Sequence, residues 1–257
     1  MIREEMTWHA PPSGLTFPLD RIDVWRVCLV HGDQSEQDLC GILTPDEVAR
    51  ASRFHFQEDR RQYIRGRAML RMLLSRYLET PPAEIRFQYQ NHGKPEIAFP
   101  HACRDLRFNF SDSGGLGLIG VGSGRTLGVD IERVRPLPDF LDIATRFFSA
   151  REVQALLALN ENKRQEAFFA CWTRKEAFLK ATGIGLSYPL CESSVSVDPD
   201  GPAELWEVKG DPNAVTHWSL ESVRPEAGYM GALAYKGPVC RVEWLCQADC
   251  PLPAHIV

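Results

Sequence analysis

Residues 127–134, LGVDIERV, place the tightest constraint on how this chain folds. Leu127, Val129 and Ile131 alternate with Gly128, Asp130 and Glu132, the period of a β-strand with one apolar face. Side chains two apart on a strand point the same way, so the other face carries two carboxylates side by side. Such a pair repels, and each raises the other's pKa unless something positive holds them. The fold has to bring a cation to that face.

Helical and strand periods alternate in two rounds around this segment. Residues 1–20 are Pro-rich and read as an irregular arm. IDVWRVCLV (22–30) reads as a strand. LTPDEVARASRF (43–54) reads as a helix, with Thr44 as N-cap, Pro45 at the first position and Glu47 at the third. Residues 57–79 have the spacing of a long amphipathic helix rich in arginine: Arg60, Arg61, Arg65, Arg67, Arg71 and Arg76. These arginines form either a solvated face or a holder for phosphate.

A strand at 85–90 leads into the turn NHGKPEI, where Gly93 and Pro95 bracket Lys94. Strands follow at 106–115 and 116–122, and the segment 125–134 is expected to pair with the latter across GSG. In the second round, helical segments at 140–159 and about 163–181 end at Gly183 and Gly185, and short strands complete the chain. The expected class is α+β, built of two similar α/β halves at 1–122 and 123–257.

The chain's net charge of −5 gives no basic surplus for a nucleic-acid partner. No segment approaches the ~20 apolar residues that span a bilayer. MIREEMTWHAPPSG has no leader pattern, so no membrane and a cytoplasmic location are the expectation. The eight cysteines form no C-x-x-C pair and read as reduced thiols. Cys240, Cys246 and Cys250 cluster, but their spacing fits no standard zinc pattern.

GLGLIG (115–120) matches G-x-G-x-x-G, yet an apolar strand continues through it where a dinucleotide fingerprint opens a helix. FFACWTRKEAFLKATGIGL (168–186) is more informative. On a helix Trp172, Glu176 and Lys180 share one stripe, and a Trp there argues that the Glu and Lys are partly buried. Ser149 and Glu152 form an S-x-x-E capping box, and a site role weighs evenly against the cap. Asp130, Glu132 and Glu176 converge if the helix packs beside the strand. Mg²⁺ takes hard oxygen ligands of this kind and shares them with a phosphorylated substrate. Lys94, Lys175, Lys180 and the 60–76 arginines would then serve the phosphates. The residues by themselves reach Mg²⁺-dependent chemistry on a phosphate or pyrophosphate.

Taken together, these segments resemble the 4′-phosphopantetheinyl transferase superfamily, of the longer type that activates surfactin synthetase. Gly128-Val129-Asp130-Ile131-Glu132 is similar to its G-[IV]-D-[ILV]-E strand. Phe148-Ser149-Ala150-Arg151-Glu152 is similar to its F-[SA]-x-x-E element, and Trp172 through Lys180 to its W-[CST]-x-K-E-[AS]-x-x-K element. Gly93-Lys94-Pro95 and Phe108-Asn109-Phe110-Ser111-Asp112-Ser113 match its GKP turn and F-N-x-S-H-S segment, from about residue 43 to 190 in the expected order.

The resemblance implies two α/β halves about a pseudo-twofold axis, with coenzyme A between them. It implies transfer of phosphopantetheine to a serine of an apo acyl, peptidyl or aryl carrier protein, releasing adenosine 3′,5′-bisphosphate. Asp130, Glu132 and Glu176 would ligate Mg²⁺, Glu176 would be the base, and Lys180 would steady the leaving phosphate. Arg50, Arg61, Lys94, Ser111, Asp112 and Lys175 would contact coenzyme A, and the protein would act as a monomer. Asp112 stands where the family has His, and Gln62 where an arginine is expected. The altered position 112 keeps a second reading open, a catalytically silent module that binds coenzyme A or a carrier. A Mg²⁺-dependent phosphohydrolase is a weaker third.

Overall fold

The computed structural model describes residues 7–12, 14–98, 105–185 and 188–247. The strands are β1 (Arg21–Cys28), β2 (Phe87–Tyr89), β3 (Pro95–Ile97), β4 (Leu106–Ser113), β5 (Leu116–Ser123), β6 (Leu127–Arg133), β7 (Ser193–Val195), β8 (Leu205–Val208), β9 (Trp218–Val223), β10 (Tyr229–Lys236) and β11 (Arg241–Cys246). The helices are α1 (Glu36–Ile42), α2 (Pro45–Ala51), α3 (Gln57–Leu78), α4 (Phe140–Phe147), α5 (Ala150–Ala158), α6 (Glu161–Thr182) and α7 (Ala214–His217). Helices and antiparallel sheets together make the class α+β.

These elements form two compact units. One takes the described residues of Met1–Gln88, Pro95–Gly124 and Val242–Leu252; the other takes those of Tyr89–Lys94 and Arg125–Arg241.

In the first unit a four-stranded sheet runs in the order β11-β1-β5-β4. Helix α3 packs one face on it, burying Leu70, Leu73, Leu74 and Tyr77 with Trp25, Val27, Phe108, Ile119 and Val121. Its other face, with Ile64, Ala68 and Met69, meets Leu39 of α1 and Ala51 of α2. Helix α2 starts at the expected capping box of Thr44 and Glu47.

The arginines of α3 are not one solvated face. Arg67 and Arg71 ion-pair with the buried Glu47, and Arg65 donates to Cys28 O at 3.2 Å. The expected N-terminal arm is partly fastened: Trp8 is buried, and His9 bonds across to Trp244 O and Cys246 N.

The second unit surrounds α6, whose residues from Ala167 to Ala181 are buried almost all round. A three-stranded sheet, β6-β10-β9, packs on this helix, and Met230, Ala232 and Ala234 of β10 enter its core. The expected helical run at 140–159 is two helices, broken at Phe148 and restarted by the Ser149–Glu152 capping box.

One expected pairing is overturned. β6 does not form a hairpin with β5; it pairs antiparallel with β10, Asp130 lying opposite Ala232. β5 already has β1 on one edge and β4 on the other, so both of its hydrogen-bonding edges are filled. Of the cysteine cluster, Cys250 lies outside the described residues; Cys240 and Cys246 are free thiols.

Candidate active site

The site starts from a glycine. Gly128 faces α6 so closely that a Cβ on it would lie 2.3 Å from both Ala177 O and Ala181 N. Those atoms are helix backbone and cannot rotate aside. A strand glycine of this kind marks a close backbone approach. Because side chains alternate, the face that meets the helix through Gly128 is also the face of Asp130 and Glu132. The small Ala232 and Ala234, opposite Asp130 and Gly128 on β10, keep that part of the face shallow. Leu127, Val129 and Ile131, on the reverse face, are buried too.

Helix α6 answers with Glu176 and Lys180, one turn apart. Lys180 Nζ donates to Asp130 Oδ1 at 2.5 Å. Glu176 is buried, and its carboxyl is pushed above its ordinary value by burial first and by the charge on Asp130 next; Lys180 opposes this, and Glu132 adds to it. Strand and helix thus bring Asp130, Glu132, Glu176 and Lys180 into one electrostatic cluster, and the first cation for the acidic face is a lysine.

The donor set is all carboxylate oxygen, the chemistry that suits Mg²⁺. Among the described residues no three His, Cys, Asp or Glu side chains stand close enough together to hold a metal ion by themselves. Mg²⁺ commonly takes one or two carboxylates and completes its shell with water and substrate phosphate, so the residues present fit it.

The other faces of α6 do structural work. Arg174 is fully buried and donates to Ser222 Oγ, Ser196 O and Asp198 O. Lys175 departs from its expected phosphate role. It is fully buried, with its ammonium on both oxygens of Glu152 at 2.8 Å and on Ser193 O, so a ligand cannot reach it. Glu152 is fully buried as well: it completes the cap through Ser149 N, takes Val195 N and balances Lys175. Trp172 packs among Phe147, Phe148 and Phe168, as its place on the stripe implied.

Lys94 stands at the tip of the β2–β3 hairpin, in the same unit as α6. Its Nζ donates to Leu127 O at 3.0 Å and Ala181 O at 3.1 Å. Arg50, Arg61, Ser111 and Asp112 belong to the other unit. Arg50 lies over the Tyr63 ring, and Arg61 is 3.6 Å from Glu36; both side chains are exposed. On β4, Ser111 is buried and Asp112 is exposed.

Two family models match the chain. One, described as 4′-phosphopantetheinyl transferase superfamily, covers residues 126–234, and another, 4′-phosphopantetheinyl transferase, N-terminal, covers 33–121. The 4′-phosphopantetheinyl transferase HetI of Nostoc sp. is 38% identical over 231 residues, 90% of this chain and 94% of that one. The chain belongs to the 4′-phosphopantetheinyl transferase superfamily. The 4′-phosphopantetheinyl transferase Sfp of Bacillus subtilis is 33% identical over 172 residues, 67% of this chain and 74% of its own. A solved holo-[acyl-carrier-protein] synthase from Thermotoga maritima aligns with 44% of this chain and 64% of its own at 21% identity, with a TM-score of 0.36.

Within this superfamily member the carboxylate cluster and Lys180 fall in the span of the first model, and Arg50, Arg61, Lys94, Ser111 and Asp112 in that of the second. Reading the sequence missed two contributors. Gly128 was visible as a glycine inside a strand, and that signal points to close packing. The carbonyl partners of Lys94 had no local signal, because they lie 33 and 87 residues away.

Proposed function

We propose that this protein transfers the 4′-phosphopantetheine group of coenzyme A to a serine hydroxyl of an apo acyl, peptidyl or aryl carrier protein, releasing adenosine 3′,5′-bisphosphate. The observation that carries the reading is the cluster of Asp130, Glu132, Glu176 and Lys180 between β6 and α6, in a chain of this superfamily. The reaction is attack of an oxygen on a pyrophosphate phosphorus, which is largely a matter of positioning and charge neutralisation.

Glu176 takes the proton of the serine hydroxyl. A carboxylate serves as this base when it lies within hydrogen-bond reach of the hydroxyl, directly or through one water. Lys180, already directed at the acidic face, neutralises charge on the leaving phosphate. Asp130, Glu132 and Glu176 would hold Mg²⁺. Bound there, Mg²⁺ supplies a Lewis acid for the pyrophosphate oxygens. Arg50 and Arg61, whose side chains are exposed, would contact the nucleotide end of coenzyme A, with Ser111 and Asp112 of β4 assisting. We place the protein in the cytoplasm, acting as a monomer.

A fluorescent coenzyme A, Mg²⁺ and an apo carrier test the assignment. Asp130→Ala and Glu176→Ala are each expected to abolish labelling of the carrier. Full labelling by either variant contradicts the metal-binding and base roles of these two carboxylates. Coenzyme A binding without labelling by the unaltered protein would favour the silent module.

A further inference from the structure

Helix α6 carries Glu176 and Lys180, and strand β6 carries Asp130 and Glu132, so their relative placement is the geometry of the site. Gly128 lets the two backbones touch, but a glycine contact sets only the distance of approach. Something else has to stop the helix end from sliding along the strand.

Lys94 is placed to do this. Its ammonium bonds Ala181 O, one of the carbonyls in the last turn of α6, which lack helical partners. A cation there also meets the negative end of the helix dipole. The same ammonium bonds Leu127 O, on the first residue of β6 and three residues before Asp130.

The rest of the hairpin tip seats the clasp. Gly93 takes φ 81° in the turn, and Gln90 N bonds Lys94 O at 3.0 Å. Past the helix end, a Cβ on Gly183 would lie 2.7 Å from Gln90 Oε1, and one on Gly185 would lie 2.6 Å from His92 Cβ. Both glycines have positive φ, so the chain leaving α6 lies flush against the tip.

We propose that Lys94 is a positioning residue, a clasp between the C-terminus of α6 and the start of β6 that holds Glu176 and Lys180 in register with Asp130 and Glu132. It acts through two backbone carbonyls rather than through a phosphate of coenzyme A. The inference rests on the transferase reading above.

The test compares wild type, Lys94→Met and Lys94→Arg, using coenzyme A and 3′-dephospho-coenzyme A with an apo carrier. The clasp predicts that Lys94→Met lowers kcat by about ten- to a hundredfold, the scale of a displaced reacting group. The ratio of KM values for the two donors stays at the wild-type ratio. Lys94→Arg, which keeps donors for the carbonyls, regains part of kcat. Two arms need no turnover. Mn²⁺ binding without substrate weakens on the order of tenfold in Lys94→Met, as for loss of a group that orients ligands. Amide hydrogen exchange of residues 179–185 becomes faster.

A phosphate contact gives the opposite pattern, and that result overturns the proposal. KM for coenzyme A rises to that for the dephospho compound, while kcat, Mn²⁺ binding and exchange stay unchanged. If Lys94→Met does not fold, Lys94→Gln, which loses the charge and reach of the ammonium, decides by the same exchange and KM readouts. Wild-type protein that modifies no carrier counts against the transferase reading, and the Mn²⁺ and exchange arms still decide the clasp.

Discussion

Glu176 shows how function and stability pull apart at one residue. Its carboxyl is raised by burial and by Asp130, so the folded state holds the proton more tightly than the unfolded chain does. That stability is present at low pH and is lost as pH rises through the raised value. Ionised Glu176 therefore burdens the metal-free fold at neutral pH. Glu176→Gln removes that charge and is expected to raise the Tm of the metal-free protein at pH 7.5 while carrier modification is lost; a lowered Tm contradicts the electrostatic account.

The faces on which the candidate site residues lie were legible in the sequence where one period settled direction. Alternation put Asp130 and Glu132 on one face, and helical spacing aligned Glu176 with Lys180. Lys175 was misread because its sequence neighbours do not reveal that a buried Glu152 waits on another helix. Lys94 was expected at a phosphate, and its carbonyl partners come from distant segments.

Among elements, the packing of β6 on α6 makes the sharpest demand. Gly128→Ala puts a methyl against two fixed backbone atoms. A destabilisation of about 2–3 kcal/mol by urea unfolding is expected, the upper part of the range for overpacked cores. A loss below about 0.5 kcal/mol, the size of an ordinary surface change, would mean that the strand and helix do not meet there. The contact between α2 and α3 makes a pH-dependent prediction. Burial alone would push the Glu47 carboxyl up, but bonds from Arg71, Arg67 and Thr44 outweigh it and hold it below its ordinary value of 4.5. That contribution is complete above the unfolded value and is lost as pH falls through the folded one. Glu47→Gln should be less stable than wild type at pH 7, with the gap closing as pH drops below 4.5. A gap that is constant with pH contradicts the pairing.

Helix α2, with its capping box, and the two long helices were readable from local signals. The β5–β6 hairpin was misread for a nonlocal reason. A short glycine turn allows a hairpin, but β1 and β4 already occupy both edges of β5. Which strand pairs with which depends on competition that a single turn does not encode.

Over the whole molecule, two helix-and-sheet rounds were visible as alternating periods, each with one 22-residue helix. The interleaving was not. Tyr89–Lys94 joins the second unit from within the first stretch of chain, and β11 returns from Val242 onward to the sheet of the first. One excursion brings Lys94 to α6, and the other covers the edge of β1.

The family matches span both units, so the proposed activity is a property of the entire chain. Its most direct test is intact-mass measurement of a panel of apo carrier proteins incubated with this protein, coenzyme A and Mg²⁺. The account predicts that at least one carrier gains a single phosphopantetheine on its serine, with one adenosine 3′,5′-bisphosphate formed per carrier modified. Coenzyme A consumed with every carrier mass unchanged would contradict it.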